Sequence, residues 1–276
     1  MTTVAVAQFS AGLDKDANRK QVVEAIDVAA AAGADLVITP EYSMYWDAKN
    51  VGTDPGYPES LDGPFVTAVR ATARARGVAV VTGMTETLDD DPRSSNTLVA
   101  VDAAGELLGV YRKVHLYDAF GFRESDTLRP GPITAPCTFT IGDLTFGMMT
   151  CYDLRFPEIA RTLIDAGAQA LILPAAWVVG PAKEDHWTTL VRARAIENTA
   201  YVCAAGQTGP YCAGQSLIAD PMGTVLAGAG ESPGLAIARL SIDRVESVRT
   251  KNPSLTNRRF TVTPLARSAL ARRYES

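Results

Sequence analysis

Residues 165–176 read DAGAQALILPAA, and residues 31–41 read AAGADLVITPE. Each passes from an alanine-rich stretch through a glycine into a short apolar run closed by a proline. The runs are too short for a helix and suit strands buried on both faces. The glycine stops a preceding helix. The same pair of elements is therefore written twice.

Working outward, the repetition extends to most of the chain. VAVAQF (4–9) is a strand and DANRKQVVEAIDVAAAAG (16–33) a helix, with Asp16 as its cap and Gly33 as its stop. After DLVITPE come a helix in PFVTAVRATARARG (64–77) and a strand in VAVVTGM (78–84). NTLVAVDAAGELLGVYRK (96–113) is a hairpin. The second half repeats the order with LTFGMMT (144–150), FPEIARTLIDAG (156–167), ALILPAA (170–176), HWTTLVRARAIENT (186–199), AYVCAAG (200–206) and the hairpin GQSLIADPMGTVLAG (214–228).

This period is far too long for a solenoid. It predicts one α/β domain of two similar halves, each a mixed sheet with helices on one face. The bare sheet faces then have to cover each other. LRPGPITAPC (128–137) reads as an exposed connection. The segment after Arg239 has one helical stretch and then little periodicity. Its Val245, Val248, Leu255, Phe260, Val262 and Leu265 are expected at a subunit contact, making the protein at least a dimer.

Composition narrows the function classes. The chain has 276 residues, 47% hydrophobic and 21% charged, with 26 basic against 31 acidic residues. No basic stripe suits a phosphate backbone, so nucleic acid is not expected as a partner. Arg258, Arg259, Arg267, Arg272 and Arg273 are read as solvated or at a subunit contact. No apolar run approaches a membrane span of roughly 20 residues. MTTVAVAQFS is not read as a signal peptide. Cys137, Cys151, Cys203 and Cys212 form no CxxC pair, and His115 and His186 are far apart, so zinc-finger spacing is absent. Few cysteines in a chain of this size point to the cytoplasm.

In sheets of this kind ligands bind beyond the carboxyl ends of the strands. Glu41 follows DLVITP, Lys113 follows LLGVYR, Cys151 follows FGMMT, and Trp177 follows ALILPAA. The repeat puts Glu41 and Trp177 at matching positions. A thiol beside a carboxylate base and a cation suits nucleophilic chemistry. The Tyr152 backbone N–H, just past the cysteine, is placed to complete an oxyanion hole. Each residue also has an ordinary role: core filler for Cys151, a solvated strand end for Glu41 and Lys113. Together at strand ends, they bring the catalytic reading level with that one.

The local motifs carry a resemblance. LVITPEYSMY, VYRKVHLYD and MTCYDLRFPE, in that order, resemble the glutamate, lysine and cysteine motifs of the carbon–nitrogen hydrolase (nitrilase) superfamily. FRESDTLRPG, HWTTLVRARAIENTAYV and NPSLTNRRF are similar to further parts of it. The resemblance covers nearly the whole chain. It implies a four-layer αββα sandwich, with residues 1–276 as one domain and 240–276 as a C-terminal extension at a subunit contact. It also implies a Glu41–Lys113–Cys151 triad, a second glutamate at Glu124, no metal or organic cofactor, and homodimers or larger homo-oligomers. His186 receives no catalytic role.

The stretches CYDLRFPE and HW…RARAIEN are similar to the branch acting on small amides, the ω-amidases and deaminated-glutathione amidases. The expected reaction is hydrolysis of a small linear amide bearing a carboxylate, through a cysteine thioester, with release of ammonia. The alternatives are a nitrilase or N-carbamoyl hydrolase with the same triad, or a non-catalytic binding protein that kept the fold. Trp177 is expected to wall the pocket or to be a core aromatic. Met222 stands where relatives often carry Trp, and with the short loop 206–214 it is expected to reshape the pocket rim.

Overall fold

The computed structural model describes residues 1–47 and 57–265. The first half runs β1 (Thr2–Gln8), α1 (Lys15–Ala31), β2 (Leu36–Ile38), α2 (Pro64–Arg76), β3 (Ala79–Glu86), β4 (Ser95–Val101) and β5 (Leu107–Arg112). A small hairpin, β6 (Asp118–Ala119) and β7 (Phe122–Arg123), follows. The second half is β8 (Thr138–Ile141), β9 (Leu144–Met148), α3 (Pro157–Asp165), β10 (Ala170–Ala175), α4 (Lys183–Asn198), β11 (Tyr201–Gly206), β12 (Leu217–Ala219) and β13 (Val225–Gly228). Then come β14 (Gly234–Leu240) and α5 (Ile242–Lys251).

The two sheets have matching strand orders, β14-β1-β2-β3-β4-β5 and β8-β9-β10-β11-β12-β13. In each, three parallel strands lead into an antiparallel hairpin. Pairing fixes the correspondence: Val4 opposes Leu36 in the first sheet, and Phe146 opposes Ala170 in the second. Gly33 and Gly167, the stops of the two quoted stretches, both adopt left-handed backbone (φ 83° and 98°), which costs glycine nothing. The matched partner of Glu41 is therefore Ala175, and Trp177 lies two residues further on. The length of the apolar run had suggested Trp177, but the ladder decides the register.

Strand alternation builds four layers. Val4, Val6, Leu36, Ile38, Val81 and Leu98 point from the first sheet into a shared core with Phe146, Met148, Ile172, Cys203 and Ile218 of the second. The opposite faces pack on helices: Val37, Val80 and Val99 against Val22, Ile26, Phe65 and Val69, and Leu171, Leu173 and Val202 against Leu163, Trp187 and Val191. Each such side chain, fully buried, contributes about 1.5–3 kcal/mol. The result is the αββα sandwich.

Several local expectations are corrected. The cap of α1 is Asp14, whose Oδ1 accepts from the N–H groups of Asp16 and Ala17 at 2.9 and 3.0 Å. Asp16 sits in the first turn, paired with Arg19. The connection 128–137 is exposed only from Pro132, because Leu128 and Gly131 are buried. Val245 and Val248 are 0% and 2% exposed, held in the protomer's own core by the inner face of α5, so neither can line a subunit contact. Leu255 packs on the α3–α4 layer, whereas Phe260 is 90% exposed. Arg258 is neither free nor simply solvated, since its guanidinium grips Asp165 at 2.5 and 3.0 Å. Arg267, Arg272 and Arg273 lie outside the described residues.

Candidate active site

Three strand ends meet where the sheets face each other. Glu41 lies in the turn after β2. That turn fits closely over β3: a Cβ on Gly83 would come within 2.8 Å of Glu41 Cα, Pro40 O and Tyr42 N, so only glycine leaves room for it. Gln207 holds the same turn from the other half, its Nε2 donating to Glu41 O at 2.9 Å. Lys113 follows β5, its N–H donating to Asn96 O at 2.8 Å and its carbonyl accepting from Gly131 N at 2.7 Å. Cys151 opens a 3-10 turn, Cys151–Arg155, after β9, in left-handed backbone (φ 43°) that is strained for a non-glycine residue.

The cysteine turn is braced by Asp153, a fully buried carboxylate. It accepts from Thr150 N at 2.8 Å, from Tyr111 Oη at 2.6 Å and from His115 N at 3.2 Å, and lies 2.7 Å from His115 Nδ1. The His115 ring in turn stacks on Phe156 at 3.9 Å.

The candidate side chains come together in one buried cluster. Glu41, Lys113 and Glu124 are at most 2% exposed. Lys113 Nζ donates to Glu41 Oε1 at 2.9 Å and lies 3.0 Å from Glu124 Oε2. Glu41 Oε1 also accepts from Asn96 Nδ2 at 2.7 Å, and its Oε2 from Ala176 N at 2.7 Å. Glu124 accepts from Tyr117 N at 2.6 Å, from Asn96 Nδ2 at 3.2 Å and from the Tyr42 hydroxyl. Cys151 lines the same cavity as Glu41 and Lys113.

Burial, reinforced by Glu41, pushes the Cys151 thiol well above its ordinary range against the pull of Lys113. The resting group is thus a protonated thiol that shares its cavity with a carboxylate, not a preformed thiolate. For Lys113, burial favours the neutral form, but Glu124 and Glu41 outweigh it and hold the ammonium well above its usual pKa. Cys203 and Cys212 are pushed up to about 12, Cys203 by burial alone and Cys212 chiefly by burial with Glu41 adding to it.

Above the thiol opens a cavity of about 310 Å³, which Glu41, Lys113, Glu124, Tyr152 and Trp177 also line. Trp177 does both things expected of it: one face walls the cavity, while the ring packs on Trp187 at 5.5 Å and its Nε1 donates to Lys183 O at 2.7 Å. Met222 does not line the cavity. Its turn packs on α4, where Arg192 donates to Gly223 O at 2.9 Å. His186 stays outside too, its Nδ1 3.5 Å from Arg155 Nη2. Among the described residues no three His, Cys, Asp or Glu side chains are grouped as metal ligands would be, and no helix is long and apolar enough to cross a membrane.

Sequence reasoning missed Asn96, Tyr42, Asp153, Arg155 and Lys183. Asp153 and Arg155 stood inside the cysteine motif. Asn96 was visible as the polar start of an otherwise apolar strand.

A buried thiol sharing a cavity with a paired carboxylate and ammonium is an arrangement able to attack a carbonyl carbon. Residues 3–250 match the family profile described as carbon–nitrogen hydrolase, and the chain belongs to that family. It is 38% identical over 258 residues to a deaminated glutathione amidase of Escherichia coli O157:H7, covering 93% of this chain and 97% of the relative. Among solved structures, the C. elegans NitFhit protein superposes with a TM-score of 0.85 at 28% identity, covering 95% of this chain and 66% of the other. An amidase of Nesterenkonia sp. AN1, from the nitrilase superfamily, gives 0.77 at 28% identity, covering 91% and 98%; that structure shows acrylamide added at its active site cysteine. The fold is that of the nitrilase superfamily.

Proposed function

We propose that the protein hydrolyses a small linear amide bearing a carboxylate. Cys151 Sγ attacks the amide carbon while Glu41 takes the thiol proton. Lys113 and the Tyr152 N–H stabilise the oxygen as it gains negative charge. The C–N bond breaks as Glu41 passes the proton to the leaving nitrogen, releasing ammonia and leaving an acyl thioester on Cys151. Glu41 then deprotonates a water that attacks the thioester, and the carboxylic acid leaves as the thiol is restored. Glu124 keeps Lys113 charged and in place.

The observation that carries this reading is the Cys151 thiol in one cavity with a Glu41 carboxylate fixed by Lys113, Asn96 and Ala176. The carboxylate on the substrate is supported by Arg155, which lines the cavity, has no ion-pair partner among the described residues, and keeps a buried Nε without an acceptor. The relatives named for deaminated glutathione fit the same class. The test is a panel of amides, nitriles and N-carbamoyl compounds scored for released ammonia. Turnover of amides, fastest on those bearing a carboxylate and slower on plain aliphatic amides, is expected, and turnover confined to nitriles or carbamoyl compounds contradicts the reading.

The same proposal includes a cytoplasmic homo-oligomer, supported by four free cysteines and by the exposure of Phe260 in the segment after α5.

A further inference from the structure

Lys183 is the first residue of α4. A cation is badly placed there, because the helix macrodipole turns its positive end toward that position. The side chain is also only 7% exposed, and lysine is almost never buried unless it is paired. Among the described residues, no carboxylate pairs with it. The acids of the same helical turn, Glu184 and Asp185, make no ion pair with it.

What surrounds the ammonium is polarisable but uncharged. Nζ donates to Tyr117 Oη at 2.9 Å and stands 5.0, 5.2 and 5.8 Å from the ring centroids of Tyr117, Phe120 and Trp177. Cation–π attraction offsets part of the burial cost and leaves the charge unneutralised. The Arg155 guanidinium, with its unpartnered Nε, shares two of these rings, standing 4.8 Å from the Trp177 centroid and 5.8 Å from that of Phe120. Both cations line the cavity that holds the thiol. The backbone is bent to deliver Lys183 there: Ala182 is in left-handed conformation (φ 59°), a strain that persists only where the surroundings impose it.

We propose that Lys183 is a specificity-determining residue whose ammonium binds the substrate's carboxylate together with Arg155. For the reaction this rests on the amidase reading; for binding it does not. Glutaramate and pentanamide have the same chain length and amide, and only the first carries a carboxylate. In Lys183→Met the KM for glutaramate should rise about ten- to a hundredfold, the range for losing a hydrogen bond between charged groups. The kcat should stay within a few-fold, and kcat/KM for pentanamide should hold, which also reports an intact fold. Lys183→Arg should recover most of the loss. Equal losses on both amides, or none on glutaramate, overturn the proposal. Calorimetric titration of glutaramate into Cys151→Ala and into Cys151→Ala/Lys183→Met separates the two readings. If the native enzyme turns over neither amide, the amidase reading falls. The Lys183 assignment then stands if the single variant binds at least tenfold more tightly than the double, and falls if they bind alike or neither binds.

Discussion

The chain just beyond β2 and the end of β10 occupy the same place in the two halves, yet one presents Glu41 and the other Ala175. The second half still takes part, because the next N–H, that of Ala176, donates to Glu41 Oε2. The first parallel strands differ in the same way. By the ladder register, Cys151 beyond β9 corresponds to Phe9 beyond β1, and Phe9 bridges to Gln207 in the other half. Repetition builds a scaffold, and the reacting groups stand where the repeat is broken. A carboxylate on one half reaches across to a thiol on the other.

The largest expected effect breaks that comparison outright. Cys151→Ala should lower kcat by at least about 10⁴-fold, as for removal of a covalent nucleophile. Cys203→Ala lies in the shared core instead. It should keep kcat within about twofold while costing on the order of 1–2 kcal/mol in urea unfolding. Comparable loss of turnover from both would mean the broken repeat is not where the chemistry sits.

Lys113 is next. Lys113→Arg puts a longer, planar cation into a space fitted to a point charge, and should reduce kcat about 10²–10³-fold with the fold intact. Lys113→Met leaves Glu41 and Glu124 buried together without their cation. It should lower unfolding free energy by about 3–5 kcal/mol. Native-like kcat in Lys113→Arg would place the ammonium away from the reacting oxygen.

A finer comparison uses Gly83 and Ala205, matched by register in β3 and β11. Gly83→Ala gives the first half what the second already has. The added Cβ collides with the Glu41 turn, and should cost about 1–3 kcal/mol. Misplacing the base should also cut kcat on the order of tenfold or more. Ala205→Gly should cost only about 0.5–1 kcal/mol, with kcat unchanged. Equal kcat in the two variants would show that Gly83 does not position Glu41.

The smallest effect is in pH. Cys203 and Cys212 have folded-state pKa values raised to about 12 from an ordinary 9.0. Below pH 9 both states keep the proton and stability is unaffected. As pH rises from 9 toward 12 the unfolded chain loses protons that the folded one retains, so stability falls, by at most about 1.4 kcal/mol per unit for each thiol. Cys203→Ala should flatten the slope measured by urea unfolding between pH 8.5 and 10.5. An unchanged slope would mean that Cys203 is not protected from ionising.

The scaffold was legible because strand alternation and helix periodicity are local. Val37 and Val80 had to find helices, and Leu36 and Val81 had to find the other sheet. The proposed triad was legible because each member ends a strand. What stayed hidden depends on contacts remote in sequence. Asn96 matters through Glu41 and Glu124, 55 and 28 positions away. Lys183 lay outside the helix read at 186–199, and nothing local tied it to Tyr117, 66 positions earlier, whose hydroxyl accepts from it. Val245 and Val248 looked available to a partner because α5's apolar stripe does not say whose core it faces.

The central claim is that the acyl group passes through Cys151. Acid quenching of the enzyme during turnover of glutaramate, followed by peptide mass mapping, tests it directly. An acyl thioester on the Cys151 peptide, absent in Cys151→Ala and lost on longer incubation as substrate runs out, is the predicted result. Ammonia release with no adduct, or an adduct on Cys137, Cys203 or Cys212, would contradict it.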